Sequence, residues 1–322
     1  MKKQLSIKKG VRMQFRFFMW GVLTIAMYVT NFAQSEKWQK LPGIDSVDVF
    51  SLAVSGRDNM IAGTVKGIYH STDNGRNWVH VNDIETSISS FVVGQKGYIF
   101  AGTYLNGVLH SSDDGNTWEY VGSENPYVLS LGMNQANYIF QGTYGSGVYR
   151  SINYGGRWKR SALQNNYVWS IAVRQEGEIF VGTNVGVFRS TDNGESWNQL
   201  DIGVQNVDVL ALAIDNNGIV YAGTDSAGMV FSRDGGESWI QANNGLTNLR
   251  ISSLAVNSKG DVFAGTFGGG IFCLTNATAA WTHTGLENLN ITCITIDPNG
   301  DVVCGTQGNG VFRKKPQILS MR

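Results

Sequence analysis

The side chains with most capacity for chemistry in this 322-residue sequence recur at fixed spacing. The run Ser71-Thr-Asp73-Asn-Gly75-Arg-Asn-Trp78 has near copies at Ser111–Trp118, Ser190–Trp197 and Ser232–Trp239. Each sets a carboxylate (Asp73, Asp113, Asp192, Asp234) five residues before a tryptophan (Trp78, Trp118, Trp197, Trp239). A weaker copy ending at Trp158 carries Asn153 in place of the Asp, and a sixth, Leu274–Trp281, keeps only its Trp, with Asn276 at the carboxylate position. A carboxylate in such a turn could ligate a metal, but a single one per turn, replaced by Asn in one copy, is too few oxygens for a calcium site. It could instead accept hydrogen bonds from backbone N–H groups of its own turn, while the glycine takes a conformation closed to other residues. The tryptophan would fill space between neighbouring elements. These residues are therefore expected to be structural, with no metal. The four histidines do not cluster: His70 and His110 precede the turns, and His80 and His283 lie beside their tryptophans. No nucleophile-plus-base arrangement and no metal-ligand spacing is evident, so no cofactor is expected and a non-catalytic role is favoured.

The elements that must position these turns follow from a second repeat. A Gly-Thr pair recurs at Gly63, Gly102, Gly142, Gly182, Gly223, Gly265 and Gly305, at intervals of 39 to 42 residues. Before each pair lies a short apolar strand, and before that, across a Gly or Asn turn, another. After the pair come a tight turn and a third strand; the S-x-D-x-G-x-x-W turn then leads into a fourth that begins at its Trp. Four strands in a forty-residue period define a blade of a β-propeller. Forty glycines against four prolines, with many β-branched and aromatic residues, suit strands and turns. The last Gly-Thr pair has no Trp after it, whereas Trp38 lies forty residues before Trp78 with no strands of its own. The spacing predicts an all-β, seven-bladed propeller of four-stranded blades, spanning 34–316. The strand around Trp38 would complete the last blade and close the ring, leaving a short C-terminal tail at 317–322.

Residues 1–33 read as a secretory signal peptide, with a basic stretch before the apolar run Phe17–Thr30 and Ala33 at a cleavage point. Met13 could equally be the start, and an uncleaved anchor is the alternative, although the run is short for a membrane span. A secreted or periplasmic location is expected, without membrane insertion once the signal is removed. The six basic residues of this segment leave 19 basic and 25 acidic residues in the body, a charge of about −6. Such a body has no footprint for nucleic acid.

The repeated turns resemble the Asp-box (BNR) repeats of a β-propeller family, and the motif covers nearly all of the chain after the signal. Secreted bacterial propellers, sialidases, xyloglucanases, sortilin-type receptors and photosystem II assembly factors carry such boxes. The resemblance implies that the box lies between the third and fourth strands of a blade, remote from the ligand-binding face. It implies fold strongly and function weakly. The Arg-Ile-Pro motif that carries the first sialidase arginine is missing here. Xyloglucanases work in a cleft between two propellers, with a carboxylate pair as acid and base; a single propeller has no second wall.

Binding is expected on the face opposite the boxes, where aligned repeats vary. Just before each inner strand a β-branched residue recurs (Val49, Ile88, Val128, Val168, Val209, Ile251, Ile291), as core packing requires. The slot before it holds Asp48, Ser87, Tyr127, Tyr167, Asp208, Arg250 and Asn290; the slot after it holds Phe50, Ser89, Leu129, Trp169, Leu210, Ser252 and Thr292. Core packing does not explain that mixture. The turns between second and third strands add Tyr104, Tyr144 and Phe267. Aromatic faces beside Asp, Arg and Asn suit a carbohydrate or a protein or peptide ligand; plugging of the central channel is the alternative role. The expected function is a monomeric, non-catalytic binding propeller, with a glycan-active enzyme carrying a non-standard site as the alternative. Cys293 and Cys304 fall nearly opposite across Asp297–Gly300 and could form a disulfide, leaving Cys273 unpaired.

Overall fold

The computed structural model describes residues 37–81, 84–164, 166–174, 177–275 and 280–315. The expected signal at 1–33, the tail at 317–322 and Asn276 of the eroded turn lie outside the described residues. Twenty-eight strands, among the described residues, form seven four-stranded antiparallel sheets. Their inner strands, for blades 1 to 7, are Val49–Val54, Ile88–Val93, Val128–Met133, Val168–Val173, Val209–Ile214, Ile251–Val256 and Ile291–Ile296. In blade 4 the chain continues through Ile179–Thr183 and Gly186–Ser190 to the outer strand Asn198–Leu200. Every second strand is buried along its whole length. Blades cover it on both faces, so it reads as a continuous run such as Ile-Phe-Val-Gly-Thr rather than an alternation.

The Gly-Thr pair sets how blades stack. A Cβ at Gly63, Gly102, Gly142, Gly182, Gly223, Gly265 or Gly305 would sit 2.5 to 2.8 Å from a γ-carbon of the β-branched residue that starts the next blade's inner strand. Only a missing side chain lets the two backbones approach this closely. The threonine beside it is fully buried and folds back: Thr143 Oγ1, for example, donates to Gly147 O at 2.7 Å, and the same bond recurs in all seven blades.

The repeated turn is a self-contained hydrogen-bonded device between third and fourth strands. Ser71 Oγ donates to Asp73 Oδ1 at 2.9 Å and accepts from Gly75 N at 2.8 Å, while Asn77 N donates to Asp73 Oδ1 at 2.8 Å. The pattern repeats around Asp113, Asp192 and Asp234, and Asn153 reproduces it with its amide oxygen. Asn serves because one side-chain oxygen takes both bonds. Gly75 sits at φ 77° with its Cα against Leu41, where a Cβ would approach Cδ1 to 2.7 Å. Hydrogen bonds from the Asn77 backbone and side chain hold the Asp73 carboxyl down at about 2, and those from Ser196 do the same for Asp192. The tryptophans lie between blades, Trp158 only 5% exposed. Sequence patterns left out one further tie between blades. Arg150, Arg189 and Arg313 each reach into the next blade's turn, donating to Asn193 O, Gly235 O and Asn74 O at 2.6, 2.6 and 2.9 Å.

The ring closes as expected. Gln39 and Lys40 pair with Arg313 and Phe312 as the outer strand of blade 7, and Leu41 N donates to Val311 O at 2.8 Å. Trp38 Nε1 donates to Thr284 O of blade 6 at 3.0 Å. Leu41, Ile44 and Val47 complete the core with Val303 and Val311 on one side and Val49, Met60 and Ala62 on the other. The anticipated Cys293–Cys304 disulfide is a correction: all three cysteines are free thiols. Register explains this, since Cys293 faces Gly305 and Cys304 faces Ile294, so the two sulfurs project from opposite faces of the sheet. Burial pushes the thiols of Cys273 and Cys293 up to about 12, which makes them unreactive hydrophobes.

Two outcomes follow from this frame. Gly142→Ala drives a methyl to 2.6 Å from Val168 Cγ1 and should cost about 1–3 kcal/mol in chemical denaturation. Adding Val168→Ala should give a double mutant more stable than the sum of the two single losses implies; strict additivity would refute the contact. Because the turn carboxylates titrate lower when folded, their contribution is complete above about pH 4 and is lost as pH falls toward 2. Asp192→Asn should flatten that acid limb, read by tryptophan fluorescence across pH 2–5.

Candidate functional site

The inner strands present side chains to one face because each carries a β-bulge at its start. In every blade the register shifts across one residue: Phe50, Ser89, Leu129, Trp169, Leu210, Ser252 and Thr292. A bulge leaves one residue unpaired and re-aims its side chain. The residue just ahead of each inner strand is tied to the turn between second and third strands by one recurring bond. Val65, Tyr104, Tyr144, Asn184, Asp225, Phe267 and Gln307 donate their backbone N–H to the carbonyls of Asp48, Ser87, Tyr127, Tyr167, Asp208, Arg250 and Asn290, at 3.0 to 3.3 Å. Antiparallel order puts these two rings of seven residues on one rim, opposite the S-x-D-x-G-x-x-W turns.

Five aromatic side chains from blades 2, 3 and 4 meet there in an unbroken arc. Ring centroids lie 5.8 Å apart for Tyr104 and Tyr127, 6.5 Å for Tyr104 and Tyr144, and 4.5 Å for Tyr144 and Tyr167. Trp169 contacts Tyr144 at 6.5 Å and Tyr167 at 5.7 Å. The four tyrosines are 36 to 46% exposed, so their faces are not used up in plugging the channel. Tyr144 is the hub, touching three of the other four rings.

The arc ends at two carboxyl groups of blade 5. Asp225 Oδ1 accepts the backbone N–H of Asp208 at 3.1 Å and the Ser226 hydroxyl at 3.0 Å. Burial, and secondarily the Asp225 charge, raise the Asp208 pKa from its ordinary value; the neighbouring Trp169 indole opposes this. The buried Trp169 N–H has no acceptor in good hydrogen-bond geometry. Neither carboxylate has a basic partner within ion-pair distance among the described residues. In blade 6 the Arg250 guanidinium lies 4.3 Å over the exposed ring of Phe267. Farther round, Asn290 Nδ2 bonds Gln307 Oε1 at 2.8 Å, and Asp48 is half-buried with its carboxyl toward Gly308 of blade 7. The expected residues therefore divide. Tyr104, Tyr127, Tyr144, Tyr167, Trp169 and Asp208 come together, Arg250 and Phe267 pair with each other, and Asp48 and Asn290 stand apart from the arc.

Part of the variable slot is explained by packing after all. Ser89 Oγ donates to Val128 O at 2.7 Å, and the hydroxyls of Ser252 and Thr292 bond the carbonyls of Ile291 and Val49 in the next blades. These hydroxyls staple neighbouring inner strands. Sequence reasoning missed Asn184, Asp225 and Gln307, although the residue after each Gly-Thr was a readable position. It also missed a cavity of about 610 Å³ on the perimeter between blades 1 and 2, where His70, His80, Trp118 and Tyr120 meet. His80 Nε2 is committed to Lys66 O at 2.9 Å, and His70 bonds Asn59, with burial lowering its pKa. Neither is poised as a base.

No protein-family model and no curated protein matches the chain. Solved structures do, at the level of fold. The extracellular domain of the putative one-component system BT4673 from B. thetaiotaomicron is 20% identical with a TM-score of 0.73, over 88% of this chain and 40% of that one. YCF48 bound to D1 peptide is 14% identical with a TM-score of 0.70, over 87% of this chain and 97% of that one. An ancestral GH74 enzyme is 18% identical with a TM-score of 0.72, over 87% of this chain and 46% of that one. The chain thus spans less than half the length of the sensor domain and of the enzyme. These likenesses establish a seven-bladed propeller shared by binding domains and glycoside hydrolases alike.

The carboxyl pair can be checked directly. In a ¹³C-detected titration Asp208 should have its midpoint above the usual value of about 3.9, and Asp225→Asn should bring it down. An unchanged midpoint in that variant would show that the two groups do not interact.

Proposed function

We propose that this chain is an extracytoplasmic, non-catalytic binding propeller that holds a carbohydrate or a segment of a protein against the aromatic arc of blades 2 to 4. The observation that carries this reading is the arc itself: five rings from three successive blades in mutual contact, with the tyrosine faces open to solvent. Scattered exposed aromatics need no explanation, whereas a contiguous patch rimmed by polar groups marks an interaction surface. Rigid tyrosine and tryptophan faces contribute contact area at low entropic cost, and they stack on sugar rings as well as on peptide side chains. Support for an extracytoplasmic setting comes from the basic and apolar character of residues 1–33 and from likeness to sensor ectodomains. No helix among the described residues is long and apolar enough to cross a membrane. The acidic body disfavours nucleic acid, and the protein works as a monomer.

A second reading, that of a glycan-active enzyme, has one observation in its favour. Asp208 sits beside Asp225 with a raised pKa, as a general acid would. Turnover separates the two readings. The purified protein screened on glycan and peptide arrays should retain a ligand, and on a polysaccharide panel should release no product. Tyr144→Ala with Tyr167→Ala should weaken binding by about 30-fold or more, a hot-spot loss. Stability should move by no more than about 0.5 kcal/mol per exposed ring. Unchanged binding together with a large stability loss would assign the arc to the fold. Product release abolished by Asp208→Asn would favour the enzyme.

A further inference from the structure

The rim contains the same pairing of groups twice, once complete and once lacking a member. In blade 6 a cation, Arg250, lies 4.3 Å over an exposed aromatic face, Phe267. At the junction of blades 4 and 5 the ring of Tyr167 contacts that of Trp169, the Trp169 indole adjoins Asp208, and Asp225 Oδ1 accepts the Asp208 backbone N–H. No cation of the chain lies within ion-pair distance of either carboxylate, among the described residues. An aromatic face attracts a cation through its quadrupole, most strongly at tryptophan, and two neighbouring carboxylates in a partly buried setting repel each other until a positive charge arrives. Both halves of the site call for the same ligand chemistry. Arg250 does not supply it, being held on Phe267 one blade farther on.

Resting on the reading of the arc as the binding site, we propose that the junction of Tyr167, Trp169, Asp208 and Asp225 receives a lysine or arginine side chain from an extended segment of a partner protein. The aliphatic stem of that side chain lies along the arc toward Tyr144, and its charged head reaches the carboxylate pair. The acidic body of the protein draws such a segment in from solution. An uncharged oligosaccharide would use the tyrosine faces and leave the carboxylate pair without a counter-charge. The site is therefore selective for a basic peptide.

The test uses three probes on the purified protein, hexaarginine, hexaglutamate and cellohexaose, with isothermal titration calorimetry at about 50 and about 500 mM salt, on either side of the range where screening takes hold. Hexaarginine should bind saturably and hexaglutamate should not, and the affinity should fall as salt rises. Asp208→Asn with Asp225→Asn should weaken hexaarginine by about tenfold or more, the usual loss for a charge-assisted contact. In blade 4 the amide of Asn184 already makes the bond that an amide at the blade 5 position must keep, its Oδ1 accepting from Tyr167 N at 3.0 Å, so the variant retains the turn. Tyr144→Ala should weaken the same probe. No saturable binding of hexaarginine, equal binding of hexaglutamate, or full affinity in the double Asp→Asn variant would each overturn the proposal. If cellohexaose bound instead, and only Tyr144→Ala reduced it, the arc would stand as the binding site and the cationic ligand would be refuted. If Tyr144→Ala left the binding of every probe unchanged, the reading of the arc itself would fall.

Discussion

One steric contact, repeated seven times, governs the rest of this molecule. The glycine of each Gly-Thr pair lies beneath the β-branched residue that opens the next blade's inner strand, at a distance no side chain would permit. That approach fixes the spacing and inclination of neighbouring sheets, and the last of the seven, Gly305 against Val49, is what makes the stack a ring. Burial of the second strand on both faces, insertion of the tryptophans between blades and reach of Arg150, Arg189 and Arg313 into adjoining turns all presuppose it. The apolar area buried between blades supplies the stability; the glycine decides the geometry in which that area can be buried.

The rim that carries the aromatic arc is a by-product of the same arrangement. A β-branched residue locked beneath the preceding blade's glycine is followed at once by a bulge, and the bulge residue is released from the ladder. Three of the seven released residues return to structural duty through a hydroxyl that bonds the next inner strand. Trp169 does not, and with Tyr104, Tyr127, Tyr144 and Tyr167 it builds the arc. A scaffold with seven equivalent positions can thus hold unlike residues around one rim without disturbing the packing beneath. That is why chains with this fold and very different sequences serve binding in one case and hydrolysis in another.

Most of the architecture could be read from the residues because the repeat was complete where it mattered. The Gly-Thr spacing set the number of blades, and Trp38, a fourth-strand residue without its own first three strands, revealed the closure. Hydrogen bonding within the S-x-D-x-G-x-x-W turn was legible because it is local in sequence. What escaped was long-range. The hydroxyls of Ser252 and Thr292 looked free to meet a ligand because their acceptors lie in the adjoining blade, and for Thr292 that blade is at the other end of the chain. The cysteine pair looked bridgeable because facing in a β-ladder depends on register, and a bulge just ahead of Cys293 set that register. The partnership of Asp208 with Asp225 was hidden for a related reason: the two lie 17 residues apart on different turns, and only the fold of the hairpin brings one carboxyl to the other's backbone.

The closure at blade 7 also has a topological consequence. All seven junctions between blades, including the seventh from blade 7 to blade 1, are crossed by continuous chain. The seam lies inside blade 7, where the two-residue strand Gln39–Lys40 and the bond from Leu41 to Val311 join the outer strand to the rest of the sheet, with the indole of Trp38 anchored on blade 6. Around the circle the packing at that seventh junction, Gly305 on Val49 with Arg313 on Asn74, is of the same kind as at the others. Where the chain is cut is therefore nearly independent of how the ring is held. Gln39 and Arg313 are ladder partners, so a short linker could join them and new ends could be opened in another blade. The molecule behaves as a closed necklace whose clasp is made like its beads.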